Sequence, residues 1–71
     1  MSEAKIDLIM ERIAAAREES PIAIFLADDG RLDAMFASTV WTQKRIASRD
    51  QNYLGTFHKG MIPGEVRYKL Q

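Results

Sequence analysis

Pro21-Ile22-Ala23-Ile24-Phe25-Leu26-Ala27-Asp28-Asp29-Gly30-Arg31-Leu32-Asp33-Ala34-Met35-Phe36 is the stretch on which the reading of the fold turns. Ile22 to Ala27 is apolar at every position and shorter than an ordinary helix, so it predicts a strand covered on both faces. Asp29-Gly30 follows at once, a hairpin-turn dipeptide because both residues tolerate positive φ. Beyond it Leu32, Ala34 and Phe36 alternate with Arg31, Asp33 and Met35, as a returning strand should. Leu32, Met35, Phe36 and Val40 also suit a helical period starting at Arg31; the turn chemistry favours the hairpin.

On the N-terminal side, Ile6, Ile9, Met10 and Ile13 fall at i, i+3, i+4 and i+7, the apolar stripe of an amphipathic helix. Ala14-Ala15-Ala16 adds helix propensity, Ser2 is a candidate N-cap and Glu3 suits the first turn. Pro21 stops the run, because the residue before proline is pushed out of the α region. The spacing predicts a helix over residues 3–19. On the C-terminal side, Ser38-Thr39 offers an N-cap for a second helix from Val40 to about Asn52. Thr56-Phe57-His58 begins a strand. Pro63-Gly64 fits the centre of a type II turn, after which Val66, Tyr68 and Leu70 alternate with Glu65, Arg67 and Lys69 as a half-buried strand. The expected architecture is one α+β domain over residues 1–71, ordered α-β-β-α-β-β, with an antiparallel sheet packed against helices. No internal repeat, linker or low-complexity segment interrupts it.

Composition narrows the function. A chain of 71 residues has room for one core and little for a deep substrate cleft. There is no cysteine, hence no disulfide framework, thiolate metal site or thiol nucleophile. The start, Met1-Ser2-Glu3-Ala4-Lys5, lacks the basic and apolar regions of a signal peptide. The longest apolar run, Ile22 to Ala27, is far below the roughly 20 residues that span a bilayer. A soluble, cytoplasmic protein without a membrane partner is expected.

The single histidine, His58, cannot build an ordinary zinc site without cysteines, and no serine–histidine–acid arrangement follows from the spacing. It is expected to face solvent from a strand. Asp28, Asp29 and Asp33 lack calcium-loop spacing and read as turn chemistry. Gly55, Gly60 and Gly64 lie around the expected final hairpin and not at a helix N-terminus, so no phosphate-cradling loop is expected. No catalytic residue, metal or cofactor is expected; the sequence favours a binding protein over an enzyme.

The ten basic and ten acidic side chains cancel, but unevenly along the chain. Residues 1–37 hold four bases (Lys5, Arg12, Arg17, Arg31) against eight acids, a charge of −4. Residues 38–71 hold six bases against Asp50 and Glu65, a charge of +4. Such asymmetry suits steering toward an acidic partner or nucleic acid, or head-to-tail pairing of copies; otherwise both sets simply solvate the surface. Within the second half, Lys44, Arg45 and Arg49 lie within two turns of one predicted helix, with Arg45 and Arg49 four apart on one face and Gln51 near its end. Guanidinium, ammonium and amide groups together suit phosphate oxygens, carboxylates or backbone groups. The plainer reading is a solvated helix face with cations placed near a C-terminus. Trp41 belongs to the residue type enriched at binding hot spots, although a lone tryptophan is expected in the core.

The segment Lys44-Arg45-Ile46-Ala47-Ser48-Arg49-Asp50-Gln51-Asn52-Tyr53-Leu54-Gly55-Thr56 resembles the helix-to-strand segment of a family of small phage-encoded anti-CRISPR proteins, that of the ninth-numbered type I-F inhibitor. The shared pattern is Lys-Arg-Ile-Ala-Ser, a basic and an acidic residue, Gln, then an aromatic two positions on and Gly-Thr. The resemblance implies a protein that binds the backbone subunits of an RNA-guided surveillance complex and keeps target DNA from pairing with the guide. It implies contact roles for Lys44, Arg49 and Gln51, with Arg49 standing where the family has lysine. Outside this segment the chain departs from the family in its N-terminal helix, its first hairpin and its shorter expected final hairpin at Pro63-Gly64. A neutral chain with a basic second half is no DNA mimic, so inhibition would work by occlusion or by recognising protein and guide phosphates together. Two other readings fit the same residues. One is a module binding nucleic acid directly through the basic half, with steep salt dependence; the other is a small self-associating protein, at most a weak, salt-sensitive homodimer.

Overall fold

The computed structural model describes residues 3–16 and 21–70. Six elements run in the order α1 (Glu3–Ala14), β1 (Ile22–Leu26), β2 (Leu32–Phe36), α2 (Val40–Ala47), β3 (Tyr53–Phe57) and α3 (Pro63–Lys69). The class is α+β, as expected, with three helices and one antiparallel three-stranded sheet ordered β2-β1-β3. No helix among the described residues is long and apolar enough to cross a membrane.

β1 occupies the centre of the sheet because its sequence has no polar face to offer water. Ile22 and Ile24 point into one cluster with Ile6, Ile9 and Ile13 of α1, Leu32, Phe57, Met61 and Val66 of α3. Ala23 and Phe25 point the other way, into a smaller cluster with Ala37, flanked by Met35, Ile46 of α2 and Tyr53. The sheet is thus the middle layer, α1 and α3 covering one face and α2 the other. The helical stripe of α1 is realised by the buried Ile6, Ile9 and Ile13. Regular helix ends at Ala14, earlier than residue 19; Ser2 and residues 17–19 lie outside the described residues.

The hairpin is present. The Gly30 N–H donates to the Ala27 carbonyl (2.9 Å) and the Ala27 N–H to the Arg31 carbonyl (2.8 Å), with Gly30 at φ +88°. This is a three-residue loop closed by a glycine bulge, so only Gly30, and not Asp29, uses positive φ. The competing helix from Arg31 does not form; β2 pairs with β1 from Leu26↔Leu32 to Ile22↔Phe36 without a break.

Two expectations are corrected. The second helix stops at Ala47 instead of Asn52. Ser48 turns its hydroxyl back to the Arg45 carbonyl (2.7 Å), and Arg49 enters the left-handed region at φ 60° with its N–H on the Ile46 carbonyl (3.0 Å). A left-handed residue after the C-cap ends a helix by satisfying its last carbonyls. The final strand is instead helix α3. Pro63 takes the first helical position, where its missing N–H costs nothing. Glu65, two residues on, accepts the Ile62 N–H at Oε1 (3.3 Å). Val66 is fully buried and Leu70, four residues on, packs against the same core, whereas Tyr68 is 78% exposed. That is a helical period, and no hairpin surrounds Pro63-Gly64; Gly64 lies instead in the first turn of α3, with Gly60 just before it. β3 starts at Tyr53, earlier than expected, and ends at Phe57, leaving His58 just beyond it.

Candidate functional site

Helix α2 is anchored by its inner residues, and this decides which of its side chains are left for a partner. Thr39 caps the N-terminus: its hydroxyl accepts the Thr42 N–H (3.2 Å) and donates to the Phe36 carbonyl (3.2 Å). A hydroxyl carries one proton, so in the 2.7 Å contact between the two threonines it is Thr42 that donates. Thr42 is thereby satisfied although wholly buried. Gln43 donates its side-chain amide to the Ala37 carbonyl, tying the helix to the end of β2.

Arg45 makes the largest of these attachments. Its guanidinium lies 3.9 Å from the centre of the Phe25 ring, a cation–π stack on the buried aromatic of β1. Its Nε donates to Asp50 Oδ2 (3.1 Å), Nη2 stands 3.9 Å from Asp33 Oδ2, and Nη1 reaches the Met35 sulfur (3.4 Å). Asp50 in turn accepts the Asn52 N–H at Oδ1 (2.8 Å). That backbone bond, followed by the bond from Arg45, holds the Asp50 carboxyl below the ordinary aspartate range. Tyr53 completes the group, its ring centre 5.2 Å from that of Phe25. A planar guanidinium can stack and bond at its edge at once, which an ammonium cannot. Arg45 therefore spends its charge inside the fold, joining α2, β2 and the α2–β3 loop.

The outer side of α2 is built differently. Trp41 is 73% exposed and Val40 72%, so the lone tryptophan is outside the core, contrary to expectation. Lys44 follows three positions after Trp41 on the same helical side. Trp41, Lys44 and the outer part of Arg45 line a shallow surface concavity of about 250 Å³. Arg49 and Gln51 are exposed on the loop leaving α2. Because the helix has ended, Arg45 and Arg49 do not share a helical face. Lys44, Arg49 and Gln51 form no hydrogen bond or ion pair with the side chains of the described residues. The five singled-out residues thus divide: Trp41 and Lys44 together on the helix, Arg49 and Gln51 beyond it, and Arg45 turned inward.

The other candidates resolve into local chemistry. Asp29 accepts the Arg31 N–H (3.1 Å) and the Arg31 Nε (2.6 Å). The backbone bond, then the side-chain bond, lowers its carboxyl below the ordinary value. His58 is exposed, its Nδ1 3.1 Å from the Lys59 carbonyl. Among the described residues no three His, Asp or Glu side chains stand where they would hold a metal. Val40 escaped sequence reasoning, as did two exposed residues at α3, Ile62 at its N-cap and Tyr68 within it. Residues 40, 41 and 44 face out because Thr42, Arg45 and Ile46 face in, and the inward turn of Thr42 and Arg45 rests on partners that folding brings together, so the sequence carried no separate signal for Val40.

Set beside protein-family models, curated proteins and solved structures, the chain gives no match.

Proposed function

We propose that this is a small phage-type inhibitor that binds a CRISPR RNA-guided surveillance complex and blocks hybridisation of target DNA. The contact surface is the outer side of α2 and the loop after it: Trp41, Lys44, Arg49 and Gln51, with Arg45 holding that surface in place. The observation that carries the reading is the exposure of Trp41 beside Lys44 on a helix whose packing needs neither. An exposed tryptophan bordered by cationic side chains belongs to the residue types that dominate interface hot spots. The resemblance over Lys44 to Thr56 names the partner class and adds Arg49 and Gln51. That segment runs from the last turn of α2 through the loop into β3, the helix-to-strand form the family segment has. On this reading the protein works by occupancy and without catalysis, in the cytoplasm of the phage host. Its cations meet acidic protein side chains or guide phosphates on the complex.

The test is a gel shift of purified type I-F surveillance complex with its target DNA, the protein added first. The DNA shift should disappear at excess protein, and Lys44→Glu with Arg49→Glu should restore it. Full DNA binding at excess wild-type protein overturns the proposal. The protein alone retarding free DNA or RNA, with affinity collapsing as salt rises, would instead identify a nucleic-acid-binding module.

A further inference from the structure

The sheet has two edges, and only one of them is guarded. On β3 the pairing with β1 slips between Ile24 and Phe25, and the Lys69 ammonium donates to the Thr56 carbonyl (2.7 Å). Irregular pairing and an edge lysine are devices that keep a strand from recruiting another chain. β2 has neither. Leu32-Asp33-Ala34-Met35-Phe36 pairs with β1 in unbroken register and contains no proline, glycine or lysine.

The phase of its hydrogen bonds is set at both ends of the hairpin: Ala27 donates to the Arg31 carbonyl and Ala37 to the Pro21 carbonyl (2.9 Å). Antiparallel pairing alternates, so Asp33 and Met35 turn their backbone groups to β1, and Leu32, Ala34 and Phe36 turn theirs outward. The Phe36 carbonyl is engaged by Thr39. The Leu32 carbonyl, both Ala34 groups and the Phe36 N–H meet no partner among the described residues.

We infer that two copies of this chain associate through β2, their strands pairing antiparallel about Ala34 into one six-stranded sheet. The register that overlaps all of residues 32–36 is self-complementary. Ala34 exchanges both bonds with Ala34 of the second copy, and the Phe36 N–H meets the second copy's Leu32 carbonyl, twice by symmetry. Asp33 falls opposite Met35; of the two adjacent registers, one sets Asp33 against Asp33, a like-charge pair directly opposed, and the other carries Leu32 past the end of the second copy's β2. The side chains agree: Phe36, 50% exposed, falls opposite Leu32 of the second copy, and the apolar surface it shares with Ile22, Ala34 and the Ala15-Ala16 stretch just after α1 lies along the new seam. A second copy therefore supplies the backbone partners and borders that apolar surface. None of Leu32, Ala34 and Phe36 is among the proposed contact residues Trp41, Lys44, Arg49 and Gln51, so substitutions at Ala34 test the dimer separately from the proposed inhibition.

Sedimentation of the wild-type protein alone should show the mass rising with concentration toward twice that of the chain, and largely unchanged by salt. Ala34→Pro should stay monomeric with an unaltered circular-dichroism spectrum, because the Ala34 N–H makes no bond to β1. Ala34→Lys, which sets two ammonium groups face to face, gives the same result should the proline disturb the strand. Ala34→Cys gives a direct readout in a cysteine-free chain. Hydrogen-bonded antiparallel neighbours stand about 5.5 Å apart at Cα, within disulfide reach. Mild oxidation should cross-link it at least about tenfold faster than Ser48→Cys, given that geometry. A wild-type monomer at every concentration, a dimer that survives both Ala34→Pro and Ala34→Lys, or equal cross-linking rates at the two cysteines overturns the inference.

Discussion

The two faces of the sheet are closed by different chemistry. Toward α1 and α3 the buried contact is apolar, from Ile6, Ile9 and Ile13 across Ile22 and Ile24 to Phe57 and Val66, with the Arg67–Glu3 pair and the Lys69 bond to Thr56 on exposed side chains at its margin. Toward α2 the buried apolar set shrinks to Ala23, Phe25 and Ala37, and polar groups finish the job: Arg45 on Phe25, Asp50 on Arg45, Thr42 on Thr39. The difference assigns the two layers separate duties. An apolar layer holds a small domain together because burial is its main source of stability. A helix held by a few directional contacts on its inner side leaves Trp41 and Lys44 free on its outer side. Stability resides on one face of β1, and recognition is proposed on the other.

The sharpest way to break this contrast is to empty the apolar layer. Ile9→Ala or Ile13→Ala removes a fully buried side chain and should cost about 2–5 kcal/mol through lost burial and the cavity left behind. In a chain this short that is a large share of the total, and chemical denaturation should read it as an early midpoint. A loss under about 1 kcal/mol would mean that this face closes around the gap and is not the stabilising layer.

Next in size is Arg45→Ala, expected to cost about 1–3 kcal/mol from its charged hydrogen bonds and the ring stack. Arg45→Lys should recover only a small part, because the flat guanidinium is lost while the charge is kept. Full rescue by lysine in a melting experiment would reduce the Arg45 contribution to simple charge.

Acid should act on the same layer. The Asp50 and Asp29 carboxyls both titrate below the usual 3.8 in the folded chain. A group with a lowered folded value stabilises the fold above its unfolded value, and that contribution disappears as pH falls through the folded value. The melting-temperature gap between wild type and Asp50→Asn should therefore be open at pH 5 and close well below pH 3.8. A gap that stays constant would show that the Asp50 charge contributes nothing.

The smallest effects belong to the outer surface. Lys44→Glu and Gln51→Ala should each change stability by no more than about 0.5 kcal/mol. Arg49→Gly should raise it slightly, by about 0.4–1 kcal/mol at most, since φ 60° suits glycine better than arginine. Against this near-silence in stability, the proposed function requires Lys44→Glu to weaken binding to a surveillance complex at least about tenfold, some 1.4 kcal/mol. A variant that binds normally would move the contact surface away from α2.

What the sequence made legible follows from how much freedom each residue has to be read two ways. Ile22 to Leu26 has only one outlet, a strand in the middle of a sheet, because no position tolerates water. Ile6, Ile9 and Ile13 repeat long enough to fix a helical period. Val66 to Leu70 is too short for that: positions 66 and 70 are apolar in either period, and only the exposure of Tyr68 separates them. Pro63 compounds the ambiguity, since a fixed φ suits both a turn and a first helical position. The basic cluster was visible, but its division was not. That Arg45 turns inward depends on Phe25, Asp33 and Asp50, which lie on three different segments and come together only on folding. Trp41 lies outside the core for the same reason: its side of the helix is settled only once Thr42 and Arg45 turn inward.

The place of β1 between its two neighbours has a consequence for the order of assembly. Leu26 meets Leu32 only six residues away, whereas Ile22 meets Phe57 across thirty-five. Nearby pairings form before distant ones, because a longer loop must be closed before any contact rewards it. A β1–β2 hairpin formed ahead of β3 would leave β1, apolar on both faces, with one side unpaired until β3 arrives. During that interval the strand that later becomes the best protected in the molecule is its most adhesive segment. Crowded expression would punish any substitution that delays the docking of β3, and the fault would show as insoluble protein before it showed as a lower melting point.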